Sequence, residues 1–429
     1  MGDFFVETDN TNVYMIDWSK YFYMLMLFLW CAYTAPFLKF VDPSNLISSA
    51  FFMFIYWRYY STYCWEWSQQ PMMVWLSIML FWYFAQCIKV GGITLIDFRL
   101  FYSLFLCHVA FYLYNEKEFF FYFEKVLVHL TIISLFVWFA ALIAQPAMRA
   151  IFDVISVWDN EHTTYGNFIF VALGNQESMG LLRNIGFTWE AGRFASFLVI
   201  GMFVSLLNCE MRIKYNVNFW ILTFGLLSTL STTGIVASLG VVLLYLYNKS
   251  RLAKVALVSV CILTFPALWG MDYIGGKILE SADVTQEMSN MTNSFLSGAR
   301  DSITPQRITG LFLEFQNWIH DFWFGYNLNE NSYTQSVLFN GNEVWLSNGV
   351  LMIFSKYGIL VGLFFYIMLF KSSRIIIADF GYKGSYLFAF IFILINVSYD
   401  FWSSGIFLYF VLYYLYKKYN TSDIPIDEF

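Results

Sequence analysis

Apolar runs recur along this chain too often, and each runs on too long, for them to be buried core helices of a soluble domain. Hydrophobic residues make up 59% of the sequence and charged residues only 13%, where a soluble domain carries about 25% charged residues. Every backbone polar group inside a bilayer must be satisfied within the chain, which favours helices. The sequence therefore predicts an all-α polytopic membrane protein, one integral domain over residues 1–429.

Twelve spans are expected, at about 21–38, 45–60, 72–89, 100–115, 124–145, 193–208, 218–230, 233–248, 255–273, 347–370, 384–399 and 404–416. Trp and Tyr gather at their ends (Trp57, Tyr59, Tyr60, Trp65, Trp67; Tyr413, Tyr414, Tyr416), as interfacial belts do. One set of connectors holds Lys20, Arg58, Lys117, Lys125, Arg212, Lys214, Lys249, Arg251, Lys254, Lys371, Arg374, Lys383, Lys417 and Lys418. The positive-inside rule puts that set, and both termini, in the cytoplasm. Lys89 and Arg99 fall on the opposite side in this arrangement. The first twenty residues carry Asp3, Glu7, Asp9 and Asp17 and no basic start, so no cleavable signal peptide is expected.

The stretch 219–248 is short for two spans and long for one. Both its flanks are basic, so the chain is expected to go out and return, turning at Ser228–Gly234, where hydroxyls can serve a broken backbone. The alternative is one tilted helix. Two polar stretches, 146–192 and 274–346, then lie together outside, and chemistry at the outer surface is the expectation. Within the second, Leu311, Phe312, Phe315, Trp318, Ile319 and Phe322 recur at helical spacing and predict an amphipathic helix over 308–322 in the outer interface.

Arg149, Arg183, Arg193, Arg300 and Arg307 all fall in these outer loops or at their edges. A planar guanidinium suits phosphate oxygens and keeps its charge. Singly, each is accounted for by anchoring or by pairing with loop carboxylates; as a set on one face they point to an anionic ligand. Arg193 opens a span at a helix N-terminus, where the macrodipole disfavours a cation by up to about 1 kcal/mol, so an anion nearby is expected. Glu190 just before it reads either as a dipole-favoured carboxylate or as a general base. Lys356 lies about 13 Å into the tenth span at 1.5 Å per residue, a depth that calls for a cavity or a partner; Asp400 and the 280–345 carboxylates are candidates.

His108 and His129 fall within spans and His162 and His320 in outer loops; they form no metal-ligating cluster. The cysteines Cys31, Cys64, Cys87, Cys107, Cys209 and Cys261 show no CxxC or Cys/His pairing and imply no disulfide framework. Phosphate-cradling glycine loops, GxSxG and a nucleotide-sized cytoplasmic domain are also missing from the sequence, so no cofactor, metal or nucleic acid is expected.

Four motifs carry a family resemblance. Arg183–Ala195 resembles R-x-x-G-x-x-x-E-P-G-x-F-A, with Ala191 where that pattern has proline. The Ser231–Gly234 turn resembles a following S-T-G segment. Arg307 ahead of Phe322-Trp323-Phe324-Gly325-Tyr326 resembles an Arg, an amphipathic helix and P-L-F-G-x-G. Ser347-Asn348-Gly349-Val350-Leu351 with Lys356–Leu360 resembles a closing x-N-x-x-L and E-x-G-I-L-G. Together, over 183–365, the chain resembles the superfamily of O-antigen polymerases (Wzy) and O-antigen ligases. Ser347 stands where the ligase pattern has histidine, which favours the polymerase branch.

The resemblance implies a GT-C-like glycosyltransferase in a bacterial inner membrane, its site facing the periplasm. It would move a growing glycan from undecaprenyl diphosphate onto a new lipid-linked repeat unit. A flippase and a chain-length regulator of the same pathway would be its partners. Implied diphosphate ligands are Arg183, Arg193 and Arg307, with Lys356 and Arg300 further candidates. Glu190 is the first candidate base and His320 the second; Tyr326, Asn327 and Asn348 are candidate sugar or supporting contacts. A ligase acting on a lipid A-core acceptor and a transporter of lipid-linked oligosaccharide are the alternatives. A transporter would show repeat symmetry, and the chain has no internal repeat.

Overall fold

The computed structural model describes residues 17–31, 54, 70–92, 98–156, 159–161, 164–168, 170–178, 180–249, 284–296, 302–303, 305–326, 332–339, 341–344, 346 and 348–420. The expected spans 45–60 and 255–273, and Arg300 and Asn327, lie outside them, apart from Phe54. Among the described residues the protein is mostly helical, as a helical membrane protein is. Four helices are long and apolar enough to cross a membrane: α2 (Gln70–Val90), α4 (Glu116–Ile143), α6 (Ala191–Asn208) and α11 (Gly349–Asp379). Shorter apolar helices are α3 (Phe98–Leu113), α7 (Val217–Ser228), α8 (Thr232–Tyr247) and α12 (Leu387–Asn396). Helix α1 (Trp18–Cys31) and α13 (Gly405–Asn420) complete the apolar set.

Helix α6 is the axis of the bundle. It is buried along almost its whole length, from Ala191 to Leu207. Leu222 of α7 packs beside Gly201, and Gly225 beside Leu198, so α7 runs antiparallel to α6. Helix α8 starts with Gly234 against Ala195 and runs back, placing Gly240 against Ile391 of α12. The stretch 219–248 is thus two helices, as expected, and they splay to either side of α6 from a turn at Thr229–Ser231. Leu230 in that turn takes a positive φ of 50°. The Ser231 side chain accepts from Gly234 N and caps α8.

Helix α4 begins earlier than its apolar run because Asn115 and Glu118 form a reciprocal capping box. Near that end the Glu124 carboxylate is buried and accepts from Ser205 Oγ at 2.6 Å, Asn208 Nδ2 at 2.7 Å and Asn218 Nδ2 at 3.1 Å. This knot ties α4 to the α6–α7 connection. Glu124→Leu removes the shared acceptor of three donors, of which Ser205 is fully buried and Asn218 exposed, and is expected to cost about 1–3 kcal/mol. The check is the thermal midpoint of the detergent-solubilised protein. An unchanged midpoint would mean that the three donors find water.

The two polar stretches hold more order than their polarity predicts, including strands in a chain read as all-α. After α5 (Gln145–Ile155), β1 (Asp159–Glu161), β2 (Thr164–Phe168) and β3 (Val171–Gly174) form an antiparallel sheet. β4 (Glu177–Ser178) and β5 (Leu181–Leu182) form a hairpin. In the second stretch, α9 (Val284–Leu296) packs on α10 (Arg307–His320), and β6 (Ser302–Ile303) pairs with β7 (Glu343–Val344) in parallel.

Helix α10 is the predicted amphipathic helix, and its polar side faces inward. Thr309, Glu314 and Asn317 are buried, while Phe312, Phe315 and Ile319 are exposed. That orientation suits a helix at the membrane surface, with its apolar side toward lipid. Its C-terminal end is tied to α2 by Lys89 Nζ and Asp321 Oδ1 at 2.6 Å. The cation on the side the charge rule disfavours therefore has a local anion.

Helix α11 is broken at Gly358 (φ 79°, ψ 179°). The segment 322–326 docks on the break: Tyr326 N donates to Ser355 O at 2.9 Å and Ile359 N to Phe322 O at 3.0 Å. Trp82 Nε1 and Gln86 Nε2 of α2 both donate to Phe324 O from the other side. The break lies two residues beyond Lys356, whose backbone packs against Gly325 of the docked segment.

Candidate functional site

The segment 183–190 is a structured turn. Asn184 N donates to Ser228 O at 3.0 Å, and Asn184 Nδ2 to Ser228 Oγ at 2.9 Å, which fastens the turn to the end of α7. Thr188 Oγ1 donates to the carbonyls of Ile185 and Glu190. Glu190 is the N-cap of α6, yet its carboxylate makes no capping bond. It meets Arg307 instead: Oε1 lies 3.5 Å from Arg307 Nη2, with each side chain about a third exposed or less (26% and 33%).

Arg307 is the first residue of α10, and its fork is spread over the turn that joins α12 to α13. Nη1 donates to Ser398 O at 2.8 Å and Nη2 to the Tyr399 hydroxyl at 3.4 Å, and the guanidinium sits 4.9 Å above the Tyr399 ring. The charges of Glu190, Arg307 and Arg183 all act on that buried hydroxyl. Gly192 makes room for it, since a Cβ there would stand 2.6 Å from the Tyr399 oxygen. The glycine of the Glu190-Ala191-Gly192 motif is thus a notch for an aromatic residue from more than two hundred positions on.

Arg183 Nε donates to Thr229 O at 3.1 Å and Nη1 to Gln176 Oε1 at 3.3 Å, so the α7–α8 turn joins the same cluster. Thr233 and Ser398 share a hydroxyl bond at 2.8 Å next to it. Arg193 is buried between the rings of Trp189 (5.3 Å) and Phe401 (5.5 Å). Asn348 caps α11 through Val350 N, and its Nδ2 donates to the carbonyls of Arg307 (3.4 Å) and Val397 (3.2 Å). It is a support: it fixes the start of α10, the start of α11 and the end of α12 relative to one another. Tyr326 is engaged at the α11 break.

The structure separates the two candidate bases. Glu190 lies with Arg307, while His320 sits at the far end of α10, about 20 Å along the axis at 1.5 Å per residue. His320 is exposed, stacks on Tyr333 at 4.4 Å between ring centres and leans on Asp321. Arg149 is also elsewhere, over the ring of Tyr165 on the first loop's sheet. Lys356 and Asp400 line one small cavity with Tyr357, Trp402, Ser403 and Leu100. Asp400 accepts from Trp402 N and Ser403 Oγ, both at 3.0 Å.

Two residues central to this region carried no sequence signal of their own. Tyr399 is one of 30 tyrosines in an aromatic-rich chain. Glu314, fully buried on α10, is in the sequence only one of the 280–345 carboxylates that are candidate partners for Lys356. Arranged this way, the cluster can hold an anion near arginines at the ends of apolar helices, with a carboxylate alongside. Compared with known proteins, the chain matches no protein-family model, no curated protein and no solved structure.

Proposed function

We propose that this protein is a glycosyltransferase that extends a lipid-linked glycan at the outer face of a bacterial inner membrane. On this reading it has twelve spans, a GT-C-like architecture and cytoplasmic termini. Its donor is a glycan on undecaprenyl diphosphate and its acceptor a newly flipped lipid-linked repeat unit. A flippase and a chain-length regulator would work beside it. The observation that carries the reading is the meeting of Glu190 and Arg307 beside Tyr399, with Arg183 fastened to the neighbouring α7–α8 turn, at the ends of apolar helices.

The chemistry is a displacement at the anomeric carbon. The acceptor oxygen bonds to that carbon, the bond to the diphosphate oxygen breaks, and its electron pair leaves with undecaprenyl diphosphate. Arg183 and Arg307 would meet the charge that grows there, with Arg193 behind them. Glu190 would take the acceptor proton, a role worth about 10²–10⁴-fold. The Glu190–Arg307 pair is partly exposed, and pairs of that kind are worth about 0–1 kcal/mol. A bound diphosphate can therefore draw the guanidinium away and release Glu190 as a base only when the donor is in place.

The test is the surface-polysaccharide ladder of a gene deletion in the source strain. Loss of the ladder, with single repeat units still attached to the lipid anchor, is the expected result. Long lipid-linked chains with nothing attached would make it a ligase. Lipid-linked single units accumulating on the inner leaflet would make it a transporter and end the transferase reading.

A further inference from the structure

Helix α10 brings Arg307 to the candidate site, so whatever fixes α10 fixes Arg307. Besides Asn348 at its start, three carboxyl groups hold the helix. At its start Glu287 accepts from Gln306 N at 2.6 Å and from Thr309 Oγ1 at 2.5 Å. At its end Asp321 pairs with Lys89. In the middle, Glu314 is fully buried against the break in α11 and hydrogen-bonded to Ser355. Neither end contact is as dry as the middle one.

The geometry at Ser355 bears on the proton. Ser355 Oγ has a single hydrogen and two acceptors within reach, Glu314 Oε2 and the Met352 carbonyl at 3.3 Å. Both contacts are satisfied when Glu314 carries a proton and donates to Ser355, whose own hydrogen then goes to Met352 O. An ionised Glu314 leaves one of them unmade. Its second oxygen, Oε1, is buried without a well-formed hydrogen bond, the Asn317 amide being the one further polar side chain that bears on the carboxyl, and this costs a neutral acid less than an anion.

We propose that Glu314 is a positioning residue for Arg307: in its protonated form it seats α10 on the broken α11, and ionisation loosens that seat. Burial pushes this carboxyl up from an ordinary 4.5 to about 7, and the charge of Asp400 adds to the rise, while the Ser355 hydrogen bond, the charge of Lys356 and the Asn317 amide oppose it. Lys356 on α11 and Asp400 in the 397–404 turn are the charged groups that act on Glu314 from the packed elements. Glu287 and the Lys89–Asp321 pair stand at the two ends of α10. A carboxyl raised in the folded state stabilises fully below 4.5, and its contribution is lost as pH climbs to about 7.

Amide hydrogen exchange over 307–320, corrected for the intrinsic rate, tests this in the intact protein in nanodiscs. Opening of α10 in the wild type should rise about tenfold between pH 6 and pH 8 and level off above about 7. Glu314→Gln, a neutral mimic, should flatten the rise to less than about twofold. Lys356→Met removes the opposing cation, so the rise should continue to higher pH. A flat wild-type profile, an equal slope in Glu314→Gln or an unmoved plateau in Lys356→Met would each overturn the proposal, and the last holds even where the glutamine variant does not fold. The consequence for catalysis rests on the transferase reading, and there the alkaline limb of kcat/KM should flatten in Glu314→Gln. The exchange experiment needs no substrate, so it fails or succeeds independently of that reading.

Discussion

Arg307→Lys is expected to lower glycan transfer by about 10²–10³-fold and to leave the protein folded, because a preorganised donor facing developing charge is worth that much. Lysine keeps the charge and loses the fork. Arg307 reaches Ser398 O with one nitrogen and Tyr399 and Glu190 with the other, while its plane lies over the Tyr399 ring. A point charge on a flexible stem satisfies one of these at a time. The fold does not depend on the side chain to the same degree, since α10 is also held by Glu287, Glu314 and Asp321. The measurement is transfer between lipid diphosphate-linked oligosaccharides in proteoliposomes, with kcat and KM separated. A fall in kcat is the expected split, because the guanidinium acts on charge that grows in the transition state. A variant that transfers normally would remove Arg307, and the diphosphate role with it, from the mechanism.

Arg183, Glu190 and Arg307 stood out in the sequence because arginines gather in the two polar stretches and because the four motifs taken together resemble a known pattern. The contact of Glu190 with Arg307 beside Tyr399 did not, since Tyr399 comes from a turn that reads as the end of one apolar run and the start of the next. The lining of α10 was hidden for a different reason. Periodicity tells which residues share a face and says nothing of which face turns inward. At a membrane surface the usual assumption inverts, so Glu314 and Asn317 are buried while Phe312 and Phe315 are exposed. Lys89 looked misplaced under the charge rule because its partner, Asp321, lies far along the chain. The separation of His320 from Glu190 likewise required knowing that α10 is straight and that Arg307 sits at its other end.

The second large effect is expected at Gly358, in the break of α11. Its φ of 79° with ψ of 179° lies in a region that only glycine occupies at low cost, and a side chain there adds about 1–3 kcal/mol of backbone strain. Space is the harder limit, because a Cβ would collide with the Trp323 carbonyl and with Phe324. Relief requires the 322–326 segment to leave, which breaks the Ile359 N to Phe322 O and Tyr326 N to Ser355 O bonds and takes the Phe324 carbonyl away from its donors Trp82 Nε1 and Gln86 Nε2. With the segment gone, alanine favours one continuous helix from Gly349 onward. That turns Ser355 away from Glu314 and removes the floor on which α10 rests. The combined cost exceeds about 4 kcal/mol, the range reserved for disrupted cores and special backbone sites. Gly381→Ala is the control. Gly381 also has a positive φ (74°), but no atom lies within 4 Å of where its Cβ would stand, so only strain of about 1 kcal/mol is expected there. Thermal unfolding in detergent and limited proteolysis across 321–326 separate the two. Gly358→Ala should unfold well below the wild type and be cut in that segment, and Gly381→Ala should resemble the wild type. Equal behaviour of the two variants would mean that the segment does not press on the break, and the seat of α10 would then need another explanation.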